Sequence, residues 1–140
     1  MMVVMTFNRN DMIKIVNSLF PIEDYIAMTV WPFIFIQKKN ERLYDEVADN
    51  HEHIHGRQQI EMLVVGIILA IGLYFVIGWW CMFSLPIFYY WYCIEYLLRS
   101  IFGKARNPYR AISFENEAYT NEHDMEYLKH RTPFAWIKYI

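Results

Sequence analysis

From Met62 to Leu98 the chain runs for thirty-seven residues with one acidic or basic side chain, Glu95. An apolar stretch of that length has to be covered by protein or by lipid. A membrane span takes about twenty residues, so one straight helix does not account for it. Pro86, preceded by Ser84, offers a break. The economical expectation is a helical hairpin, with a first span near Met62–Phe83 and a shorter second one near Leu85–Leu98. Trp79, Trp80, Tyr89, Tyr90, Trp91 and Tyr92 crowd its middle, where an interfacial aromatic belt lies if the turn emerges there. Lys38, Lys39, Arg42 and Arg57 precede the run, and Arg99, Lys104, Arg106 and Arg110 follow it. The positive-inside rule therefore predicts both ends on the cytoplasmic side. A monotopic hairpin entering one leaflet, or a buried helix pair in a soluble protein, are the other arrangements for such a run.

A chain of 140 residues is expected to be a single domain with one modest core. Its net charge of −2 and pI near 6.2 give no electrostatic footprint for nucleic acid. Hydrophobic residues make up 56% and aromatics 19%, an excess concentrated in the apolar run, which argues for contact with a lipid bilayer. Cys81 and Cys93 lie inside that run without C-x-x-C or zinc-ligand spacing, and both are expected as buried free thiols. Met1 to Asn10 lacks a basic n-region and a small-residue cleavage site, so no secretory signal is expected there.

Seven residues before the run begins, the chain reads His51-Glu52-His53-Ile54-His55, an H-E-x-x-H motif. On a helix, side chains four residues apart project from one face, so His51 and His55 are candidate ligands for a single Zn²⁺. Glu52 then lies beside the open coordination position. Zinc lowers the pKa of a water held there, and Glu52 is the candidate base that takes its proton to hydrolyse an amide bond. His53 points to another face and is expected in solvent.

Around this motif the pattern predicts a mainly α fold with a small edge β-hairpin. Met12, Ile13, Ile15, Val16 and Leu19 read as a short amphipathic helix that Pro21 ends. Tyr25 to Gln37, rich in β-branched and aromatic residues, reads as a strand; Lys38 to Arg42 is a polar turn, and Leu43 to Val47 a returning strand. Pro32 would confine the first of these to a sheet edge. An edge strand beside a metal helix often holds a peptide substrate in zinc peptidases, and an ordinary hairpin under a helix is the plainer reading. Asp49 or Asn50 is the expected cap of the metal helix, which runs from His51 to Glu61 and onward into the apolar hairpin. A second polar helix is predicted from Ser113 to His130, stopped by Thr132-Pro133, with Phe134 to Ile140 either on a membrane surface or finishing the core.

A catalytic zinc needs a third protein ligand, and Phe114-Glu115-Asn116-Glu117-Ala118-Tyr119 supplies candidates. Glu115-x-x-Ala118 resembles the E-x-x-A-D motif with which gluzincin peptidases complete an H-E-x-x-H helix. Tyr119 stands where that family has the aspartate that orients the first histidine, leaving Tyr119, Asn121 and Glu122 as candidates for that role. The two motifs together, His51 to Gln59 and Phe114 to Glu122, resemble a group of short bacterial and phage proteins with a compact H-E-x-x-H core. That resemblance extends over about Ala27 to Tyr139. It implies a membrane-associated, zincin-like metallopeptidase domain covering residues 1–140, with 62–98 as its apolar hairpin.

On this reading His51, His55 and Glu115 bind zinc, and Glu52 is general base and then acid. Glu117 is the rival ligand, about 200° around the helix from Glu115. Tyr119 is a candidate donor to the developing oxyanion, and His123 a second. His55 to Met62 spans about 10 Å of helix rise, which sets the metal just above the headgroups and makes a juxtamembrane protein or peptide segment the expected substrate. Membrane hydroxylase iron sites need about eight histidines against five here, and a carboxylate di-iron bundle needs a second E-x-x-H that the chain lacks. The non-enzymatic alternative is a membrane-anchored interaction or structural protein with a vestigial metal site; the intact Glu52 argues against it.

Overall fold

The computed structural model describes residues 12–17 and 25–140, in two compact units. The first holds the described residues up to Arg57 together with Thr120–His130; the second holds Gln58–Tyr119 and Arg131–Ile140.

The first unit is built on a three-stranded sheet, β1 (Ile13–Asn17), β2 (Ala27–Val30) and β3 (Phe33–Gln37), in the order β1-β3-β2. β1 runs parallel to β3, pairing Ile13 with Phe33 through Asn17 with Gln37, and β2 runs antiparallel to it. The amphipathic helix expected from Met12 onward is therefore a strand over Ile13–Asn17. Its β-branched Ile13, Ile15 and Val16 suit a pleated ladder, and a segment that short gains little as a helix. The flanking positions of that expectation, Asp11 and Ser18 to Pro21, lie outside the described residues.

Pro32 occupies the two-residue connection of the β2–β3 hairpin, with Trp31 in front of it. Once Pro32 sits in the turn it no longer limits β3, which is the central strand rather than an edge. Ile34 and Ile36 are buried on one face with period two, alongside Met12 and Ala27. Leu43–Val47 forms no strand. Lys38–Leu43 is a 3-10 segment and the long helix α1 (Glu46–Ile77) begins directly after it. Its N-cap is Asp45, whose Oδ1 accepts the Ala48 N–H at 2.9 Å, instead of Asp49 or Asn50. At Gly56 the helix comes so close to Met12 that a Cβ would stand 2.6 Å from its sulfur.

The second unit packs Met62, Phe88, Ile112, Phe114 and Trp136 into one cluster. The Phe88 and Phe114 rings stack at 4.5 Å, and Phe114 meets Trp136 at 4.7 Å. The C-terminal Ala135–Tyr139 segment thus finishes the core. The apolar run departs from two matched spans. α1 ends at Ile77, Gly78 turns the chain at φ +57°, and a 3-10 segment, Gly78–Ser84, folds back along α1. Ser84 Oγ donates to the Gly66 carbonyl at 2.8 Å; a Cβ on Gly66 would meet the Ser84 carbonyl at 2.6 Å. Helix α2 (Ile87–Phe102) then starts at Pro86 and, at sixteen residues, is too short to count as a second full span. Among the described residues, one helix is long and apolar enough to cross a membrane, that containing α1. From Ile67 to Ile77 every residue but Ala70 is exposed, as are Trp79, Trp80 and Phe83 at the turn. Tyr92 of the expected aromatic belt is instead drawn toward the core, and Cys93 is exposed while Cys81 is buried.

Glu95, the lone charge in the run, is a buried helix dock. It accepts the Ser113 N–H and hydroxyl at 3.0 and 2.6 Å, the Trp91 indole N–H at 3.2 Å and the Arg99 guanidinium at 2.9 Å. Ser113 opens helix α3 (Ser113–Asn121), so this carboxylate satisfies its N-terminal N–H and complements its dipole. The predicted Ser113–His130 helix is two: α3 stops at Asn121, and a single turn, α4 (Tyr127–His130), follows a loop.

A buried ion cluster ties the arms of this unit together. Arg131 donates to both Glu117 oxygens, at 2.6 and 3.2 Å, and to both oxygens of Glu61. Burial opposes the Arg131 charge, but the hydrogen bonds and charges of Glu61 and Glu117 outweigh it and hold its pKa above the ordinary guanidinium value. Substituting Arg131→Met leaves Glu117, which is fully buried, without its cation. The expected loss is about 3–5 kcal/mol, the cost of breaking a buried pair from one side, read as a lowered midpoint in denaturant unfolding of the detergent-solubilised protein.

Candidate metal centre

The face of α1 that carries the H-E-x-x-H motif is buried and polar, with Asn50, His51, Glu52, His55, Gln58 and Gln59 all at or below 9% exposure. Polar side chains survive burial only with partners, and each of these has one.

In the first unit, His51 and His55 bring their Nε2 atoms to 3.1 Å, with ring centroids 4.7 Å apart and planes at 77°. Two nitrogens bound at about 2.0–2.1 Å to a tetrahedral zinc stand about 3.3 Å apart, so the pair has the spacing that such an ion requires. His51 Nδ1 meets Glu122 Oε2 at 2.8 Å. That contact fixes the ring's orientation and tautomer, with Nδ1 protonated and the Nε2 lone pair directed away from Glu122. Glu122, one of the three candidates for orienting the first histidine, touches it. Glu122 comes within reach because α3 ends at Asn121 and the loop behind it curls over Asn50. The Asn50 amide donates to the carbonyls of Glu122 and Asp124 at 2.9 and 3.0 Å, pairing loop carbonyls beyond the end of α3.

Glu52 is held from the sheet. Thr29 on β2 donates its hydroxyl to Glu52 Oε2 at 2.7 Å and lies 3.1 Å from the Glu52 carbonyl. His53 is partly buried rather than solvated, its Nδ1 2.7 Å from the Asp49 carbonyl. Asp49 is itself engaged by Lys14 at 2.7 Å and by the Tyr44 hydroxyl. Burial, then Asp49, push the Tyr44 pKa up, so that phenol stays a neutral donor. His123 is largely exposed, 3.7 Å from Glu122.

In the second unit, Glu115 sits in the first turn of α3 and is 3% exposed. Tyr92 and Tyr109 both donate to its Oε1, at 2.8 and 2.7 Å. Burial, then the Glu115 charge, raise the Tyr109 pKa well above the phenol range and keep its proton in place. Glu117 has both oxygens taken up, by Arg131 and by the Gln58 amide at 2.9 Å. Gln58 also donates to the Phe114 carbonyl at 3.0 Å. Tyr119 lies under the Arg110 guanidinium, 4.2 Å from its ring centroid, in a cation–π contact.

Reading the sequence for motifs passes over Thr29, Tyr92 and Tyr109. Thr29 leaves one legible trace, a polar residue in an otherwise apolar strand. The tyrosines are concealed in an aromatic-rich context where their hydroxyls have no pattern. Comparison of this chain with protein-family models, with characterised proteins and with solved structures finds no match to any of them.

Proposed function

We propose that this chain is a membrane-associated zinc metallopeptidase, with His51, His55 and Glu115 as ligands and Glu52 as general base. The observation that carries the proposal is the histidine pair: two buried Nε2 atoms 3.1 Å apart, one ring oriented by Glu122, with a carboxylate on the next residue. The two imidazoles pair with each other as they stand, and the same 3.1 Å spacing suits a shared divalent ion. Glu115 is favoured over Glu117 because Glu117 is committed to Arg131 and Gln58. Within the second unit, Gln58 donates to the carbonyl of Phe114, the residue before Glu115, and so steadies the start of that helix turn. Tyr92 and Tyr109 hold Glu115 through Oε1, which suits Oε2 for a metal.

A zinc ion held by His51, His55 and Glu115 would supply Lewis-acid activation of water and of a substrate carbonyl. Glu52 would be the residue that takes up the proton of the attacking water and passes it to the leaving amine. Tyr119, one turn after Glu115, is the proposed donor to the developing negative charge. This chemistry is similar to that of gluzincin peptidases.

The membrane part of the proposal rests on α1 itself. Its N-terminal half carries a buried polar face, and its C-terminal half is apolar and, from Ile67 through Ile77 except Ala70, exposed. That is the reverse of a helix facing water at its free end. The exposed cations Lys38, Lys39, Arg42, Arg57, Lys104 and Arg106 flank the run on both sides, which supports the proposed placement of the site on the cytoplasmic face of a bacterial inner membrane. Protein or peptide segments emerging from the bilayer are the proposed substrates.

Elemental analysis of the detergent-purified protein should find about one zinc per chain, lost in His55→Ala and Glu115→Ala but kept in Glu117→Gln if that variant folds. Glu122→Gln should weaken zinc about 10–100-fold against a competing chelator, as loss of an orienting partner does. Zinc that ignores both His55 and Glu115 removes the metal centre. Glu52→Gln should retain the metal and lose cleavage of unfolded casein, by about 10³-fold or more; equal cleavage by wild type and variant removes Glu52 from the chemistry. In membranes, Cys93 should resist an impermeant maleimide that labels it after detergent denaturation, and ready labelling in intact vesicles opposes a lipid-covered α2.

A further inference from the structure

The sheet has one buried hydroxyl aimed at the metal helix. Ala27-Met28-Thr29-Val30 is apolar except at Thr29, which is 5% exposed. A buried hydroxyl in an apolar strand costs stability unless it has a partner, and Val at this position would suit a strand better. The partner is Glu52: Thr29 Oγ1 is 2.7 Å from Oε2 and 3.1 Å from the main-chain oxygen of the same residue. A hydroxyl has one hydrogen, and the charged, closer acceptor takes it.

We infer that Thr29 is the positioning residue for Glu52, an inference that rests on the reading of His51 and His55 as metal ligands. A glutamate on a helix has three side-chain torsions, and without an anchor its carboxylate sweeps a wide arc. Anchoring Oε2 fixes the plane of the carboxylate and assigns proton transfer to Oε1, to which no described residue donates a hydrogen bond. The anchor is stiff. Thr29 is paired with the fully buried Ile34 on the central strand, so the hydroxyl belongs to the sheet and does not move with the helix. β2 thereby acts on the reaction through a side chain.

The test uses the full chain in detergent, loaded with Co²⁺ so that the visible spectrum reports the metal, and titrated with acetohydroxamate. This bidentate chelator, once on the metal, hydrogen-bonds to a carboxylate beside it, so its affinity reads the placement of Glu52 without requiring a peptide substrate. Thr29→Val should load cobalt as wild type does and bind acetohydroxamate about 10-fold more weakly, the effect of one lost charge-assisted hydrogen bond. Thr29→Ser should return to within about 3-fold of wild type, because it restores the hydroxyl. The double variant Thr29→Val with Glu52→Gln should bind no more weakly than Glu52→Gln alone, since Thr29 acts through Glu52. Thr29→Val binding like wild type, or effects of the two substitutions that add, would overturn the role of Thr29 and leave the metal centre standing. A wild-type chain that takes up no cobalt removes the metal centre itself, and the role of Thr29 with it.

Discussion

Burying the polar half of α1 is the constraint on which the rest of this structure depends. Six polar residues between Asn50 and Gln59 are at or below 9% exposure, and hydrogen-bonding groups removed from water must be paired. The chain meets that demand with parts distant in sequence. Thr29 comes from the sheet, Glu122 and the carbonyls of the α3–α4 loop from the first unit, and Glu117 and the Phe114 carbonyl from the second. Each pairing fixes a segment that the hydrophobic pattern alone leaves loose. A core this polar contributes less stability per residue than an apolar one, but it specifies geometry.

The apolar half of the same helix poses the opposite problem. From Ile67 to Ile77 almost nothing among the described residues covers it, and the return leg of Gly78–Ser84 meets it at Gly66. Glu95 belongs to the same economy. A lone carboxylate in an apolar helix is costly, and this one is satisfied by the N-terminus of α3 as well as by Arg99 and Trp91. The helix that carries Glu115 is thus docked through the only charge in the apolar run.

How much of this was legible beforehand differs by residue. His51 and His55 follow from spacing alone, because a four-residue step on a helix puts two rings on one side whatever surrounds them. The hydrophobic run, the start of α2 at Pro86 and the start of α3 at Ser113 were likewise legible from local signals, whereas the turn at Gly78 that ends α1 was not. Ile13–Asn17 was not, since a five-residue stretch of Ile and Val suits either period and only the parallel partner Phe33–Gln37 decides it. Pro32 misled in another way. It marks a place where a ladder bond is missing, and a turn satisfies that condition as well as an edge does.

What the amino-acid sequence determined by itself is therefore short-range: a metal-type histidine pair with an adjacent carboxylate, an apolar run too long to be an ordinary core helix, and a later helix rich in acids. These are properties of spacing and composition, and they survive any packing. Tertiary structure alone decided the partners, because hydrogen bonds between residues 23 or 71 positions apart leave no periodic trace. It chose Glu122 to hold His51, Thr29 to hold Glu52, and Arg131 to occupy Glu117. It also turned Tyr92 and Tyr109 inward to Glu115. The physical reason is the same in each case: a buried polar group takes whichever complement the fold brings within 3 Å, and only the folded chain determines which one that is.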